Sequence, residues 1–409
     1  MTNREAAIKI IRRLHQNDFE ALLAGGCVRD MLLKRRAQDY DIATNAQPKD
    51  VIRLFRRTIK VGAKFGVVIV LLENRQVEVA TFRTEAGYTD GRHPTSVKFS
   101  SPEEDASRRD FTINGMFYDP LNKRILDYVG GQRDLKKRVI RTIGIPDERF
   151  TEDYLRMFRA VRFSTQLGFA IEPSTWSAVY SNAKEIVKIS GERMAIELEG
   201  ILTHPNRDKG ASLFVNSGLA EVIFTDYSTE QAEFGIAVLR RLQKRPDFAL
   251  SLACFFAGCE IEYAMEKCRI LKLSRNQFKH IKFLLGNRGR LLDECMSLAD
   301  LKKILAEPYF EDLFEFQKAI QKADIGGRKS IYDLIKLRRR ITSLGKIELK
   351  PKPLLNGHDL IRLGAVSGPR LGFLLQELYT AQLEGLLQTR KQAIRWIKKW
   401  LHKHNLKEI

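Results

Sequence analysis

The spacing of apolar residues changes character along the first third of the chain. Apolar positions recur every three or four residues at first, which is typical of an amphipathic helix, and valine-rich runs follow with the alternation of strands. This pattern predicts helix 5–19, strand 21–24, helix 28–33, a strand around 39–41, helix 48–55, and a hairpin of strands 67–72 and 77–82. Such a mixture predicts an α+β head with a small mixed, mostly antiparallel sheet flanked by helices.

The stretch from 83 to 107 lacks either period. It is rich in glycine, aspartate, proline and serine, so we expect a mobile loop there, including Tyr88, Asp90, Gly91 and Arg92. Beyond it, 108–116 is expected to begin a helix or a strand edge.

Strand signals nearly vanish after about residue 138, and helical periodicity continues to the end of the chain. We therefore expect an all-α C-terminal half, divided into a neck (138–202), a body (203–330) and a basic tail (331–409) behind the head (1–137). The last helix of the tail carries seven lysines and arginines around Trp396 and Trp400, whose rings suit either base stacking or core packing.

Charge points to a polyanionic partner. The 409 residues include 70 Lys and Arg against 50 Asp and Glu, a net charge of +20. Nucleic acid is the first candidate for such a partner, and a membrane surface the second. No apolar run reaches bilayer length and the N-terminus is not that of a signal peptide. Five scattered cysteines predict reduced thiols and a cytoplasmic protein, whereas the oligomeric state stays open.

Two carboxylates one residue apart, Asp39 and Asp41, are the first candidate site. On an extended strand they would project from the same face, and paired carboxylates suit Mg²⁺ with its preference for oxygen ligands. Just upstream, Gly25 and Gly26 would let the backbone approach a phosphate chain closely. Together these residues predict a site for a metal-bound nucleoside triphosphate.

A second candidate site lies on the helix expected after Thr151, its predicted N-cap. Asp153, Arg156 and Arg159 recur every three residues and would share one helix face. A carboxylate beside a guanidinium matches the amine and ring nitrogen that cytosine and adenine present, and rejects uracil and guanine. This leaves Arg159 and Arg162 to bind the triphosphate.

Six motifs occur in an order that resembles the bacterial class II RNA nucleotidyltransferases, the family of tRNA CCA-adding enzymes and poly(A) polymerases. They are Gly25-Gly26-Cys27-Val28-Arg29-Asp30, Asp39-Tyr40-Asp41, Glu78-Val79-Ala80-Thr81-Phe82-Arg83, Arg108-Arg109-Asp110-Phe111-Thr112-Ile113-Asn114, Glu152-Asp153-Tyr154-Leu155-Arg156 and Ser190-Gly191-Glu192-Arg193. A weaker similarity to the CCA-adding branch continues around Asn356-Gly357-His358.

The resemblance implies a role for each matching position. Asp39 and Asp41 would bind catalytic Mg²⁺, while Glu78 is either a third carboxylate or an outward strand residue. The remaining expected roles are phosphate contacts by Gly25, Gly26 and Arg29, nucleotide binding by Arg109, ribose binding by Asp110, base reading by Asp153 and Arg156 with Arg159 and Arg162 in the same pocket, and bracing of that helix by Glu192 and Arg193.

The implied activity is template-independent addition of C and A to the tRNA 3′ end from CTP and ATP. The segment 83–107 disfavours enzymes that add only CC, in which it is shortened. Tyr154 and the residues 61–70 favour the tRNA branch over the poly(A) polymerases. Addition of A alone and poly(A) synthesis stay open. Two alternatives come from other classes. A non-catalytic RNA-binding protein on the same scaffold is disfavoured by the intact carboxylates. A small-molecule nucleotidyltransferase would lack the helix that carries Asp153 and Arg156.

Overall fold

The computed structural model describes residues 1–60, 65–88, 94–243, 245–324, 328–343 and 348–405. The chain forms two compact units, Met1–Ala232 with Glu266–Leu273, and Glu233–Met265 with Ser274–Ile409. Over the described ranges, no helix combines the length and the apolar composition that crossing a membrane requires.

The beginning of the first unit alternates helices and short strands. Its elements are α1 (Asn3–His15), β1 (Ala21–Ala24), α2 (Gly26–Leu32), β2 (Asp41–Thr44), α3 (Pro48–Leu54), β3 (Thr58–Ile59), β4 (Val67–Leu72), β5 (Arg75–Thr81), β6 (Arg83–Tyr88), β7 (Pro94–Phe99), α4 (Pro102–Ser107), β8 (Phe117–Asp119), β9 (Arg124–Leu126), α5 (Gly131–Lys137) and β10 (Val139–Ile140). The α+β head predicted from the sequence is therefore confirmed.

Seven of these strands form one sheet in the order β3-β4-β5-β2-β1-β8-β9. The β2–β5 pair is parallel and the other pairs are antiparallel, as expected for a mixed, mostly antiparallel sheet. The predicted hairpin is present as β4 and β5, whose register pairs Val70 with Val77. Phe82 and Phe117 are fully buried on one face and meet edge to face, which anchors the core of the head.

The expectation of a mobile loop over 83–107 is wrong for its described part. Strands β6 and β7 pair as an antiparallel hairpin, and α4 follows with Ser101 as its N-cap. Ser101 and Glu104 exchange hydrogen bonds in a capping box, a local signal that the proline and serine content obscured. The predicted loop residues Asp90, Gly91 and Arg92, like 61–64, lie outside the described residues.

Helices dominate the described remainder of the chain, as predicted. They are α6 (Pro146–Glu152), α7 (Leu155–Leu167), α8 (Pro173–Asn182), α9 (Gly191–Leu202), α10 (Arg207–Asn216), α11 (Leu219–Ile223), α12 (Thr229–Arg241), α13 (Phe248–Phe255), α14 (Ile261–Ile270), α15 (Arg275–Gly286), α16 (Leu298–Leu305), α17 (Phe310–Ala323), α18 (Arg328–Ser343), α19 (Gly357–Arg362), α20 (Pro369–Leu383) and α21 (Arg390–Asn405). One short strand, β11 (Ala170–Ile171), pairs with β10.

The last three helices share an apolar cluster that includes Leu360, Leu374 and Ile397. Trp396 and Trp400 are partly buried and pack against this cluster. Of the two roles open to these rings, the structure therefore favours core packing. Lysines and arginines of α21, such as Lys399, lie on its exposed side.

Candidate functional site

The register of the sheet brings the acidic pair next to the glycine turn. Asp41 opens β2 and is paired with Ala24, the last residue of β1, directly before Gly25. On the other side of β2, the pairing of Ile42 with Val79 places Glu78 beside Asp41. Strand β2 begins only at Asp41, so Asp39 precedes it. The prediction of a strand around 39–41 is therefore wrong for residues 39 and 40.

Asp41 lies in a negative environment. It is solvent-exposed at the strand end, yet the surrounding atoms displace water from it, and this desolvation raises its pKa to about 6. The negative charges of Glu78 and Asp39 also raise the pKa, whereas Arg109 lowers it. Three carboxylates that destabilise one another in this way fit a divalent cation, which would neutralise them.

The carboxylates of Asp39, Asp41 and Glu78 do not form the tightest group of possible metal ligands among the described residues. Among the described residues, three ligand atoms within 4.8 Å of one another occur in the second unit instead, at Asp247, His280 and Asp312. Asp39, Asp41 and Glu78 are thus not a ready-made three-ligand cage.

The turn after β1 requires glycine. Gly25 has a φ of +72°, a conformation that side chains disfavour, and a Cβ there would lie 2.9 Å from Nη1 of Arg109. The next residue, Gly26, starts α2, so backbone N–H groups point out of this turn. The thiol of Cys27 donates to the carbonyl of Ala24 at 3.3 Å, and burial and the charge of Asp41 raise its pKa to about 12. This cysteine is therefore an un-ionised packing residue.

Arg109 reaches the turn because Asp105 holds it. The buried Asp105 accepts hydrogen bonds from Arg109 Nε at 3.2 Å and from Arg108 Nε at 2.9 Å. Burial by itself raises the pKa of Asp105, but the two guanidinium groups outweigh it and lower the pKa. The Arg109 guanidinium also lies over the ring of Phe117. The Arg109 guanidinium is therefore held in one orientation by Asp105 and Phe117.

Asp110 links the head to helix α7. Its carboxylate accepts hydrogen bonds from Arg159 Nε at 2.8 Å and Nη2 at 2.6 Å, and from Asn114 at 3.1 Å. Burial would raise the pKa of Asp110, yet Arg159 and Asn114 lower it to about 2. Asp110 is therefore ionised at neutral pH and holds the first turns of α7 against the head.

Three predicted phosphate-binding arginines converge on one aromatic ring. The guanidinium carbons of Arg29, Arg159 and Arg162 lie 5.2, 5.2 and 4.3 Å from the centroid of Phe163. Arg29 also donates to Asn114 Oδ1 at 2.8 Å. Cation–π contacts and this hydrogen bond bring the arginine of α2 beside those of α7. The structure thus gathers these positive charges from distant segments.

The start of α7, the helix predicted to read the base, differs from expectation. Thr151 is not an N-cap: it lies inside α6, and its hydroxyl donates to the carbonyl of Glu148. Asp153 occupies the break between α6 and α7, where its carboxylate accepts the N–H of Leu155 at 3.1 Å and Nη2 of Arg193 at 2.7 Å. The Arg193 part of the predicted brace is confirmed.

Arg156 is almost fully buried and tied to the head. Its Nη1 contacts Glu152 at 2.5 Å and its Nη2 donates to the carbonyl of Arg108 at 3.3 Å. Arg149 also pairs with Glu152, and its Nη2 reaches the carbonyls of Ser107 at 2.5 Å and Arg109 at 3.2 Å. These bonds join the break before α7 to the segment that contains Arg109 and Asp110.

Helix α9 supports α7 through residues that the sequence reasoning partly missed. Glu192, the other half of the predicted brace, is exposed and pairs at 3.2 Å with Lys272, which follows α14. Instead Glu197, which is buried, binds Arg162 Nε at 2.5 Å. A Cβ at Gly200 would lie 2.5 Å from Cδ of Arg162, so glycine permits this close helix contact.

Some of these missed residues left a sequence signal. Asp105 precedes arginines by three and four positions, the spacing of neighbours on a helix. Glu197 is an acidic residue between Met194 and Ile201 on an otherwise apolar helix face. Phe163 left none, because only the tertiary structure shows that arginines of two helices surround it.

Two family models match parts of the chain. Residues 21–141 match the poly A polymerase head domain, and residues 168–230 match a domain described as a probable RNA and SrmB-binding site of polymerase A. The first match covers the sheet, the carboxylates and the Arg109 segment, and the second begins just after α7.

Curated relatives cover nearly the whole chain. A CCA-adding enzyme of Geobacillus kaustophilus is 36% identical over 396 residues, covering 95% of both proteins, and one of Lactobacillus johnsonii is 32% identical over 401 residues with the same coverage. The crystal structure of the Bacillus stearothermophilus CCA-adding enzyme in complex with CTP has a TM-score of 0.79, 32% identity and 100% coverage of both chains. The Thermotoga maritima CCA-adding enzyme complexed with tRNA has the same fold, with a TM-score of 0.64 at 23% identity, covering 97% of this chain and 95% of that one. The motifs, the fold and these relatives agree, and the chain belongs to the family of CCA-adding enzymes.

Proposed function

We propose that this protein adds C and A to the 3′ end of tRNA from CTP and ATP, without a template and with release of pyrophosphate. Its relatives of similar length are named CCA-adding enzymes, and one was solved with CTP. The observation that carries the proposal is the arrangement in the first unit, where the carboxylates beside the glycine turn are linked through Arg109 and Asp110 to the helix bearing Arg156.

Asp39 and Asp41 are the proposed ligands of Mg²⁺, and Glu78 adds negative charge beside them. Bound Mg²⁺ would activate the RNA 3′-hydroxyl and neutralise the triphosphate and leaving pyrophosphate. The negative surroundings that raise the pKa of Asp41 support this assignment, because a divalent cation relieves them.

The triphosphate is proposed to lie over the turn at Gly25 and Gly26. Arg109 and Arg29 reach this region and carry the positive charge that phosphates require. The guanidinium of Arg109 is directed there by Asp105, which lowers the conformational entropy lost on binding. Asp110 is proposed to bind the ribose through the carboxylate oxygen that does not accept hydrogen bonds from Arg159. Arg159 and Arg162 complete the set of positive charges around the triphosphate.

Asp153 and Arg156 are proposed to read the base edge, Asp153 accepting the exocyclic amine and Arg156 donating to the ring nitrogen of C or A. Both groups are held by protein partners, Asp153 by Arg193 and Arg156 by Glu152. Because these two side chains are held in place, they cannot reorient to bind uracil or guanine. A wrong base therefore leaves polar groups unpaired.

The helical segments are proposed to bind the tRNA body, mainly through its phosphates. The division into head (1–137), neck (138–202), body (203–330) and tail (331–409) is part of this proposal. The exposed basic side of α21 supports RNA contact by the tail. None of the described cysteines forms a disulfide, which supports a reducing cytoplasm as the location.

The test uses purified full-length protein with tRNA ending before CCA or in CC, and each labelled triphosphate singly and in pairs. We expect CTP and ATP incorporation that stops at CCA. Addition only to the CC-ending tRNA would indicate an A-adding enzyme, and long oligo(A) on unrelated RNA a poly(A) polymerase. Binding of tRNA without any incorporation would indicate the non-catalytic RNA-binding protein.

Variants Asp39→Asn and Asp41→Asn should abolish incorporation while tRNA binding is retained. Asp18→Asn is the matched control, since Asp18 is exposed in the same unit and its positive φ suits asparagine. Full activity in Asp41→Asn would contradict the metal assignment. Asp153→Ala should admit UTP or GTP, and unchanged rejection of both would refute the base-reading role.

A further inference from the structure

A histidine is enclosed by two aspartates in the second unit, apart from the residues proposed to bind the nucleotide and Mg²⁺. His280 lies in the middle of α15, Asp247 is the N-cap of α13, and Asp312 lies in the first turn of α17. The ring nitrogens of His280 are close to both carboxylates, with Nδ1 3.5 Å from Asp247 Oδ2 and Nε2 3.3 Å from Asp312 Oδ2. Three helices therefore contribute one possible ligand each.

The imidazole of His280 has an unmet bonding requirement. It is 5% exposed and stacks on Tyr309, with 4.1 Å between ring centroids and 13° between the planes. Its Nε2 is buried and has no hydrogen-bond partner, although it faces Asp312. A buried polar atom without a hydrogen bond is unfavourable. This nitrogen is therefore a candidate for binding an ion or molecule that is not part of the protein.

The distances suit a metal ion. One ligand atom from each of Asp247, His280 and Asp312 lies within 4.8 Å of the other two. Ligands bound at about 2.1 Å with angles of about 90 to 110° are about 3.0 to 3.4 Å apart, and the Nε2 to Asp312 separation of 3.3 Å falls in that range.

We propose that Asp247, His280 and Asp312 form a binding site for a divalent transition-metal ion, Zn²⁺ foremost, that ties the N-terminal ends of α13 and α17 to α15. Nε2 supplies the nitrogen ligand and the aspartates supply oxygens, a mixed set that Zn²⁺ accepts better than Mg²⁺. Two carboxylates neutralise the ion.

The site has an access route and tolerates conservative variants. The side chain of Asp247 is 57% exposed and that of Asp312 is 20% exposed, so an ion can enter from solvent. Asp247 also accepts the N–H of Leu250 as a helix cap, a role that asparagine fills equally well. Asp247→Asn should therefore remove a charged ligand without unfolding α13.

The experiment measures Zn²⁺ binding by isothermal titration calorimetry to full-length protein stripped with a chelator, which is then removed. Asp247→Asn, Asp312→Asn and His280→Gln are compared with Asp300→Asn, in the first turn of α16, and His358→Gln, an exposed histidine. We expect each of the three site variants to lose one Zn²⁺ or bind it at least tenfold more weakly, with both controls unchanged.

A second readout separates this site from the carboxylates of the first unit. Zn²⁺ should raise the thermal unfolding temperature of an Asp39→Asn, Asp41→Asn protein, and Asp247→Asn in that background should remove the increase. Uptake of no ion by the unsubstituted protein, or equal uptake by it and the three variants, would overturn the proposal.

Discussion

The ion pair between Asp110 and Arg159 yields a prediction whose magnitude follows from the structure. Arg159 contacts one carboxylate oxygen of the buried Asp110 through two nitrogens, at 2.8 and 2.6 Å. The lowering of the Asp110 pKa from 3.8 to about 2 corresponds to about 2 kcal/mol of net stabilisation of the first unit. This stabilisation is fully present above the unfolded-state pKa and is lost as the pH falls towards 2.

The perturbation is a double-mutant cycle at pH 7 with Asp110→Asn, Arg159→Met and the double variant. Arg159→Met leaves the buried Asp110 without its counter-charge and should destabilise the first unit by about 3 kcal/mol. Asp110→Asn should cost less, because the Arg159 side chain is 33% exposed and keeps Glu197 at 4.0 Å. The double variant should lose about 2 kcal/mol less than the sum of the two, because no unpaired charge remains.

The assay follows the fluorescence of Trp176 during urea unfolding. Trp176 lies in α8 of the first unit, while the other two tryptophans pack in the C-terminal cluster, so Trp396→Phe and Trp400→Phe make the signal specific. Lys9 and Glu73 provide the control cycle, since they form an exposed pair in the same unit. We expect their coupling to stay below about 0.5 kcal/mol. Equal coupling in both cycles would refute the assigned role of the buried pair.

Three further predictions concern the nucleotide site. Gly25→Ala should destabilise the turn by about 1 kcal/mol and weaken ATP binding in a filter assay, because alanine resists the positive φ; unchanged affinity would argue against it. Mn²⁺ should bind more tightly at pH 7.5 than at pH 5.5, since Asp41 loses its proton near pH 6, and Glu78→Gln should shift that dependence to lower pH; a flat profile would contradict this. Arg193→Met should loosen Asp153 and raise misincorporation of UTP in a single-nucleotide assay, with tRNA affinity unchanged.

The spacing of residues along the chain was sufficient to predict those elements that depend on interactions between residues close in sequence. The valine runs of β4 and β5 predicted the hairpin, and the glycine pair marked the turn before α2. Spacing was insufficient at 83–107, where strands β6 and β7 form in a segment without alternation because each is stabilised by pairing with the other.

The amino-acid sequence by itself determined the fold class, the family and the chemical groups available to the reaction. The sequence motifs show which residue types occur at fixed spacing. The residue types determine which charged groups and metal ligands are present in the chain. Asp39, Asp41, Asp153 and Arg156 were therefore recognisable without coordinates, although their assigned roles stay proposals.

Only the tertiary structure decided which of these groups meet. Phe163 gathers arginines from two helices, Glu197 holds Arg162, and Asp110 pairs with Arg159 across 49 positions of sequence. The same holds for His280 and its two aspartates, which come from three helices. The physical reason is that burial and pairing energies depend on distance in space, and residues far apart in the chain leave no local pattern when they are brought together.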